Sequence, residues 1–235
     1  MKKIAVLQSN YIPWKGYFDI IHDVDLFIFH DDLQYTKNDW RNRNKVKTPQ
    51  GIVWLTIPVG TSKDRLICEV ILNDAKWQRK HWQTLKNNYI KAPYYARYQS
   101  FFEDIYCGRQ WGSLSELNQH LIKTISQDLL GINTQFADSR DYSPEGKKLD
   151  RLVSIVSQAG AARYVSGPAA KDYIQESAFS DIGIEVLWKS YSSYPEYPQI
   201  FPPFTHGVSI LDLLFHTGPE ASWYIWGWRD QLVGN

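Results

Sequence analysis

Along this 235-residue chain, short apolar runs that suit buried strands alternate with stretches whose apolar residues recur every three or four positions. "KIAVLQ" (3–8) and "DLFIFHD" (25–31) are too apolar to carry a wet face, so each reads as a strand covered on both sides. Between them, "PWKGYFDIIHD" sets Phe18 and Ile21 on one side of a short helix. Strand, helix and strand at this spacing predict a parallel pair with a right-handed crossover. The period then changes. "NRNKVK" and "IVWLTIPV" flank a Pro49–Gly51 turn and predict a hairpin, and "RLICEVILND" predicts another strand. From Lys76 to Ile125 the pattern is helical, with Trp77, His81, Leu85 and Tyr89 on one face. "SLSELNQHLIKTISQDLLG" predicts an amphipathic helix closed by Gly131.

The strand–helix rhythm then returns. "TQFAD" is a strand, and Ser143-Pro144 caps a predicted helix with Leu149, Leu152, Val153 and Val156 on its apolar face and Gly160 at its end. "ARYVSG", "PAAKDYIQESAF" and "GIEVLWKSY" predict strand, helix and strand, and "GVSILDLLFHTG" a last helix. The expected fold is α/β, a mainly parallel Rossmann-like sheet with a β-hairpin and a helical insertion at 40–130, as a single domain over 1–235. Ligands of such sheets collect at the carboxyl ends of the strands. "SNYIPWKG" and "HDDLQY" both fall there.

A net charge of +1 supplies no general field for a polyanion, so nucleic acid is not expected as a partner. Cys68 and Cys107 have neither zinc nor disulfide spacing and are expected as buried thiols. The basic N-terminus has only four apolar residues before it turns polar, and no later run approaches a membrane span, so the expected location is the cytoplasm. Phe, Trp and Tyr reach 15%, which is unusually high. Most of these rings suit a core, while their flat faces also suit stacking on a base or a sugar.

Four clusters carry candidate chemistry. In the first, Gln8, Asn10, Trp14, Lys15 and Gly16 sit where a strand breaks into a helix, and free N–H groups at a helix start attract phosphate. A plain turn is the structural alternative. In the second, Asp31, Asp32, Gln34, Tyr35 and Lys37 lead to Trp40, Arg41, Asn42, Arg43, Lys45 and Lys47. Paired carboxylates can bind Mg²⁺, orient a hydroxyl or accept a proton. Alternation along a strand places Arg41, Arg43, Lys45 and Lys47 on one face, which suits a diphosphate as well as a solvated surface. The third, Ser166-Gly167 before Pro168, offers another helix start or a simple N-cap. In the fourth, Ser209 and Asp212 have capping-box spacing, and His206 before them is a candidate base, as is His81. No metal-ligand spacing is legible.

"LQSNYIPWKGYFDII", "DDLQYTKNDWRNRNKVK", "WLTIPV", "YVSGPAAKDYI" and "HGVSILDLLF" together resemble, in order, the WbqC-like family. That family is associated with surface-polysaccharide (O-antigen) clusters, and its namesake is described as a glycine transferase acting on an amino sugar. The resemblance implies an acyl or aminoacyl transferase with a nucleotide sugar and an amino-acid donor as small-molecule partners. A non-catalytic nucleotide-sugar or glycan binder is the alternative. The opening "LQSNYIPWKGYFDII…DLFIFHDDLQY" is also similar to the nucleotidylyltransferase-like group that includes pantothenate synthetase. Its His-x-Gly-His motif falls on Trp14 to Tyr17, where the glycine is kept and both histidines are absent. That likeness implies activation of a carboxylate as an acyl-adenylate, which would call on ATP and Mg²⁺.

Overall fold

The computed structural model describes residues 1–62 and 64–229. The chain opens with β1 (Lys3–Leu7), α1 (Lys15–His22) and β2 (Leu26–Phe29). An antiparallel hairpin follows, β3 (Arg43–Thr48) and β4 (Gly51–Thr56), then helices α2 (Lys76–Tyr89), α3 (Tyr95–Glu103) and α4 (Leu114–Thr124). The alternation resumes with β5 (Gln135–Asp138), α5 (Leu149–Gln158), β6 (Arg163–Ser166), α6 (Ser177–Ser180) and β7 (Glu185–Trp188), followed by α7 (Ile210–Thr217).

Five strands form one parallel sheet in the order β5-β2-β1-β6-β7. The chain winds outward from β1 through β2 to β5, then returns to the other side of β1 for β6 and β7. The winding therefore reverses between β1 and β6. In open α/β sheets the crevice beyond the strand ends at such a reversal is where ligands bind.

The continuous apolar runs are explained by burial on both faces. Ile4, Val6, Leu26, Ile28 and Tyr164 point to the layer of α5 and α6 and meet Ile155, Val156 and Phe179. Ala5, Phe27, Phe29 and Val165 point the other way, into a larger core with α1, the insertion helices and α7. Most aromatic rings fill this core, including Tyr11, Tyr89, Tyr95, Phe102 and Phe215.

Helix α1 is buried along Lys15–Ile21, and its acid is as enclosed as its apolar residues. Asp19 accepts two hydrogen bonds from the Arg229 guanidinium (2.8 and 2.6 Å), one from Lys189 Nζ (2.7 Å) and one from the Tyr194 hydroxyl. The C-terminal segment is thereby tied to the first helix. A second buried acid, Asp212 of α7, accepts from Tyr89 (2.9 Å), Tyr197 (2.8 Å) and Gln199 (2.7 Å), joining α2 to the C-terminal loops. Ser209 caps α7 through the Leu211 N–H (3.3 Å), while Asp212 turns inward.

Three predicted elements differ. "RLICEVILND" is no strand; it turns at Ile67–Glu69, where the Glu69 carboxylate accepts the Leu66 N–H (2.7 Å) and buries Ile67 and Val70. The Ser143 helix start fails because Gln158 bonds both the N–H and the carbonyl of Ser143, folding 143–148 back along α5, which begins at Leu149. "PAAKDYIQESAF" breaks into a tight turn at Pro168–Asp172 and the short α6. Cys107 is exposed and Cys68 half-buried, against the expectation of two buried thiols. No helix among the described residues is long and apolar enough to cross a membrane.

Candidate functional site at the sheet reversal

The loop leaving β1 carries Gln8, Ser9, Asn10, Tyr11 and Ile12 past the reversal. The Arg41 guanidinium reaches back over it and donates to the side-chain oxygens of both Gln8 and Asn10. Its nearest carboxylate, Asp39, stands 3.6 Å away, and its Nε is buried without a hydrogen-bond partner. Burial opposes ionisation of Asp39, but Arg41 and Thr36 outweigh it and hold the carboxyl below its usual value. Ile12 has φ +37°, a left-handed conformation that a β-branched residue adopts only under constraint. The hairpin supplies the constraint: Asn44 Nδ2 donates to the carbonyls of Tyr11 (3.0 Å) and Ile12 (2.8 Å), and the Tyr11 N–H bonds to the Trp40 carbonyl (2.9 Å). The insertion thus presets the loop at the binding edge.

Across the reversal lies Gly167, where a side chain would come within 3.2 Å of the Tyr191 hydroxyl. Tyr191 packs edge-on against Trp14 with centroids 5.1 Å apart, joining the β6, β7 and β1 loops. Tyr17 closes the floor, donating to the Gln8 carbonyl (2.8 Å). Burial raises its pKa well above 10, and the Asp31 charge adds to this while Arg41 opposes it. Gln8, Asn10 and Arg41 are thus held together at the rim beyond β1, and Trp14 and Gly167 are linked through Tyr191 beyond β6. Gly16 also has a packing reason: a Cβ there would land inside the Trp14 indole, so the glycine admits that ring. Gly16→Ala is therefore expected to displace Trp14 and weaken any ligand of this rim, checked by the change in tryptophan fluorescence. An unchanged spectrum would contradict the packing.

The adjacent acids lie in the turn after β2 and diverge. Asp31 is fully buried toward α4, accepting from the Ser9 N–H (2.7 Å), Ser115 and Gln119 (3.1 Å). Asp32 points toward α5, held by Ser139 and Arg151; burial raises its pKa, but these two partners bring it below the usual value. The pair offers no common face to a cation, and no cluster of three His, Cys, Asp or Glu among the described residues suits a metal. Sequence reasoning missed His30. It is buried beside the end of β1, its N–H on the Leu7 carbonyl (2.9 Å), with Nε2 unpartnered and 3.6 Å from Asp32. Burial lowers its pKa, against the pull of Asp32. Its place as the first residue beyond "LFIF" was the available signal.

Residues 8–224 match the WbqC-like protein family, a stretch that runs from the loop after β1 through α7. The chain belongs to that family. A relative from Mycobacterium tuberculosis, the uncharacterized protein Rv1507c, is 46% identical over 228 residues, covering 96% of this chain and 98% of that one. No solved structure matches.

Other candidates in this WbqC-like chain lie apart from the rim. The basic row splits because β3 begins only at Arg43. Arg43 stacks on Trp54 (4.2 Å) and Lys45 lies over the same indole (5.0 Å), while Lys47 is buried, donating to Gln199 (2.7 Å) and the carbonyls of Phe201 and Pro203. Gln34 bridges to Leu66, Tyr35 is buried under Arg65, Asn42 binds the Ile57 carbonyl (2.9 Å), and Lys37 is exposed. Ser166 is buried beneath Gly167. His206 packs on Phe204 near Lys15, burial and that lysine lowering its pKa.

His81 lies within the WbqC-like core, with Tyr11 at 2.8 Å and Tyr106 bonded to Tyr11 in turn (2.6 Å). Burial pulls its pKa down to about 4. The folded value lies below the unfolded one, so the ring's contribution is intact above pH ~6.5 and lost as pH falls toward ~4, on the order of 3 kcal/mol. Denaturant titrations across that window should show the loss in the native protein and a shallower slope in His81→Gln. Equal slopes would refute the assignment.

Proposed function

We propose that the rim between β1 and β6 holds the phosphates of a nucleotide-linked amino sugar and that the protein transfers a glycyl or other acyl group to the sugar amine. The observation that carries this reading is the Arg41 guanidinium poised over Gln8 and Asn10 at the sheet reversal, with a buried, unpartnered Nε and Gly167 opposite. Arginine forks bind phosphate oxygens bidentately, and the two side-chain oxygens now on Arg41 are neutral, so an anion can replace them without losing an ion pair. The WbqC-like family supplies the acyl-transfer chemistry of the proposal.

A carboxylate does not react with an amine until its oxygen becomes a good leaving group. ATP is the proposed source of activation: the carboxylate oxygen would attack its α-phosphorus and expel pyrophosphate, and the sugar amine would then displace AMP from the acyl-adenylate to form the amide. Oriented attack by the amine then needs a proton acceptor. Asp31 is saturated with donors and His81 is bonded to Tyr11, so His30, whose Nε2 has no hydrogen-bond partner, is the base we assign, with Asp32 and Arg151 behind it. Because Asp31 and Asp32 diverge, no step is routed through Mg²⁺.

The test is to incubate the protein with glycine, ATP and UDP-glucosamine and read product masses. A gain of one glycyl unit supports transfer. Binding of UDP-glucosamine without a product, across other amino acids and amino sugars, would instead favour a non-catalytic nucleotide-sugar binder. The saturation of Asp31 is the observation on that side.

A further inference from the structure

Of the ten tryptophans, Trp40 and Trp54 are the exposed ones, at 43% and 40%. Their rings stand 5.3 Å apart and are inclined by 39°. Two large apolar faces held open to water need a reason, because the other eight tryptophans are buried or half-buried. Trp54 also lines a cleft of about 550 Å³ between β4 and α2, a size typical of small-molecule sites.

The surroundings of this cleft are cationic. Arg43 and Lys45 lie over the indoles, and Lys76 and Lys80, one helical turn apart, line the α2 side. Among the described residues none of these four pairs with a carboxylate. Arg43 Nε is moreover buried without a hydrogen-bond partner. Asp74, the acid in the cleft, caps the Lys76 N–H (2.8 Å). In a protein of net charge +1, these four cations outnumber the acids near them, Asp74 in the cleft and Asp39 toward Arg43, and form a local site for negative charge.

The third feature is the strand itself. Among the described residues β4 pairs only with β3, so its other edge faces the cleft along Val53–Thr56, with the Thr56 main chain bonded to His81. At 5.3 Å the two rings touch and leave no gap between them, so a ligand lies across their outer faces, where the C–H face of a sugar can pack and its hydroxyls can reach the strand edge.

We propose that this cleft is a second binding site, for a saccharide bearing carboxylate or phosphate groups, with Trp40 and Trp54 against its rings and Arg43, Lys45, Lys76 and Lys80 on its charges. The site is independent of the reading given to the sheet reversal, and its test needs no turnover.

Calorimetry and tryptophan fluorescence with tetragalacturonate, cellotetraose and tetrauridylate decide it. Tetragalacturonate should bind, cellotetraose about tenfold more weakly, and raising the salt should weaken the acidic sugar alone. Trp54→Ala should weaken tetragalacturonate about tenfold or more, and Lys76→Gln with Lys80→Gln should flatten its salt dependence. All three side chains are exposed, so unchanged thermal midpoints will show that the variants fold. Undiminished binding by Trp54→Ala, tighter binding of tetrauridylate, or no tetragalacturonate binding at millimolar concentration would each overturn the proposal.

Discussion

Asp19→Ala should lower the unfolding free energy by about 3–5 kcal/mol, because removing one partner leaves buried charges uncompensated. The fully buried Asp19 carboxylate receives both arms of Arg229, Lys189 Nζ and Tyr194. Lys189 is itself buried and retains only Asp23, whose side chain is 36% exposed. For a chain of this length the loss corresponds to a drop in Tm of about 10 °C or more. Asp23→Ala provides the control. Its half-exposed pair with Lys189 is screened by water and should be worth about 1 kcal/mol or less. Denaturant unfolding of the two variants checks the ranking. Equal losses would mean that Asp19 is not the tie between the first helix and the C-terminal segment.

Arg41→Met should weaken UDP-glucosamine binding by about 10–100-fold, the worth of one or two charge-assisted hydrogen bonds. Its fold should survive, since the Arg41 main-chain carbonyl still accepts from Asn118 (2.8 Å) and Gln8 and Asn10 can turn to water. Arg41→Lys should recover only part of the affinity, because an ammonium cannot span two oxygens as a planar fork does. Arg43→Met, two residues on but stacked on Trp54, should leave UDP-glucosamine binding unchanged. Calorimetry on the three variants reads the pattern directly. Equal losses for Arg41→Met and Arg43→Met would return the phosphate site to the whole basic row.

The sheet was legible because its strands are buried on both faces, and such burial leaves unbroken apolar runs like "LFIF" and "IAVL". The parallel pairing of β1 with β2 followed from the strand–helix–strand order. What failed had a common physical cause, namely partners distant in sequence. The Asp19 contacts to Lys189 and Arg229 span 170 and 210 residues, and no local pattern announces them. Arg41, Arg43 and Lys47 read as one row, but Gln8 and Asn10, Trp54, and the Phe201–Pro203 loop pull them to three destinations. Asp31 and Asp32 read as a pair, yet in the turn after β2 Ser115 of α4 holds one and Arg151 of α5 the other. His30 was overlooked because a single histidine at a strand end looks ordinary until its neighbours are known to be Asp32 and the end of β1.

A crystal soaked with UDP tests the central claim most directly. The diphosphate is expected within ~3 Å of Arg41 nitrogen atoms, between the loops of Asn10 and Gly167, with Gln8 and Asn10 swung off the guanidinium. Density for UDP elsewhere on the molecule, with Arg41 still bonded to Gln8 and Asn10, would contradict the claim.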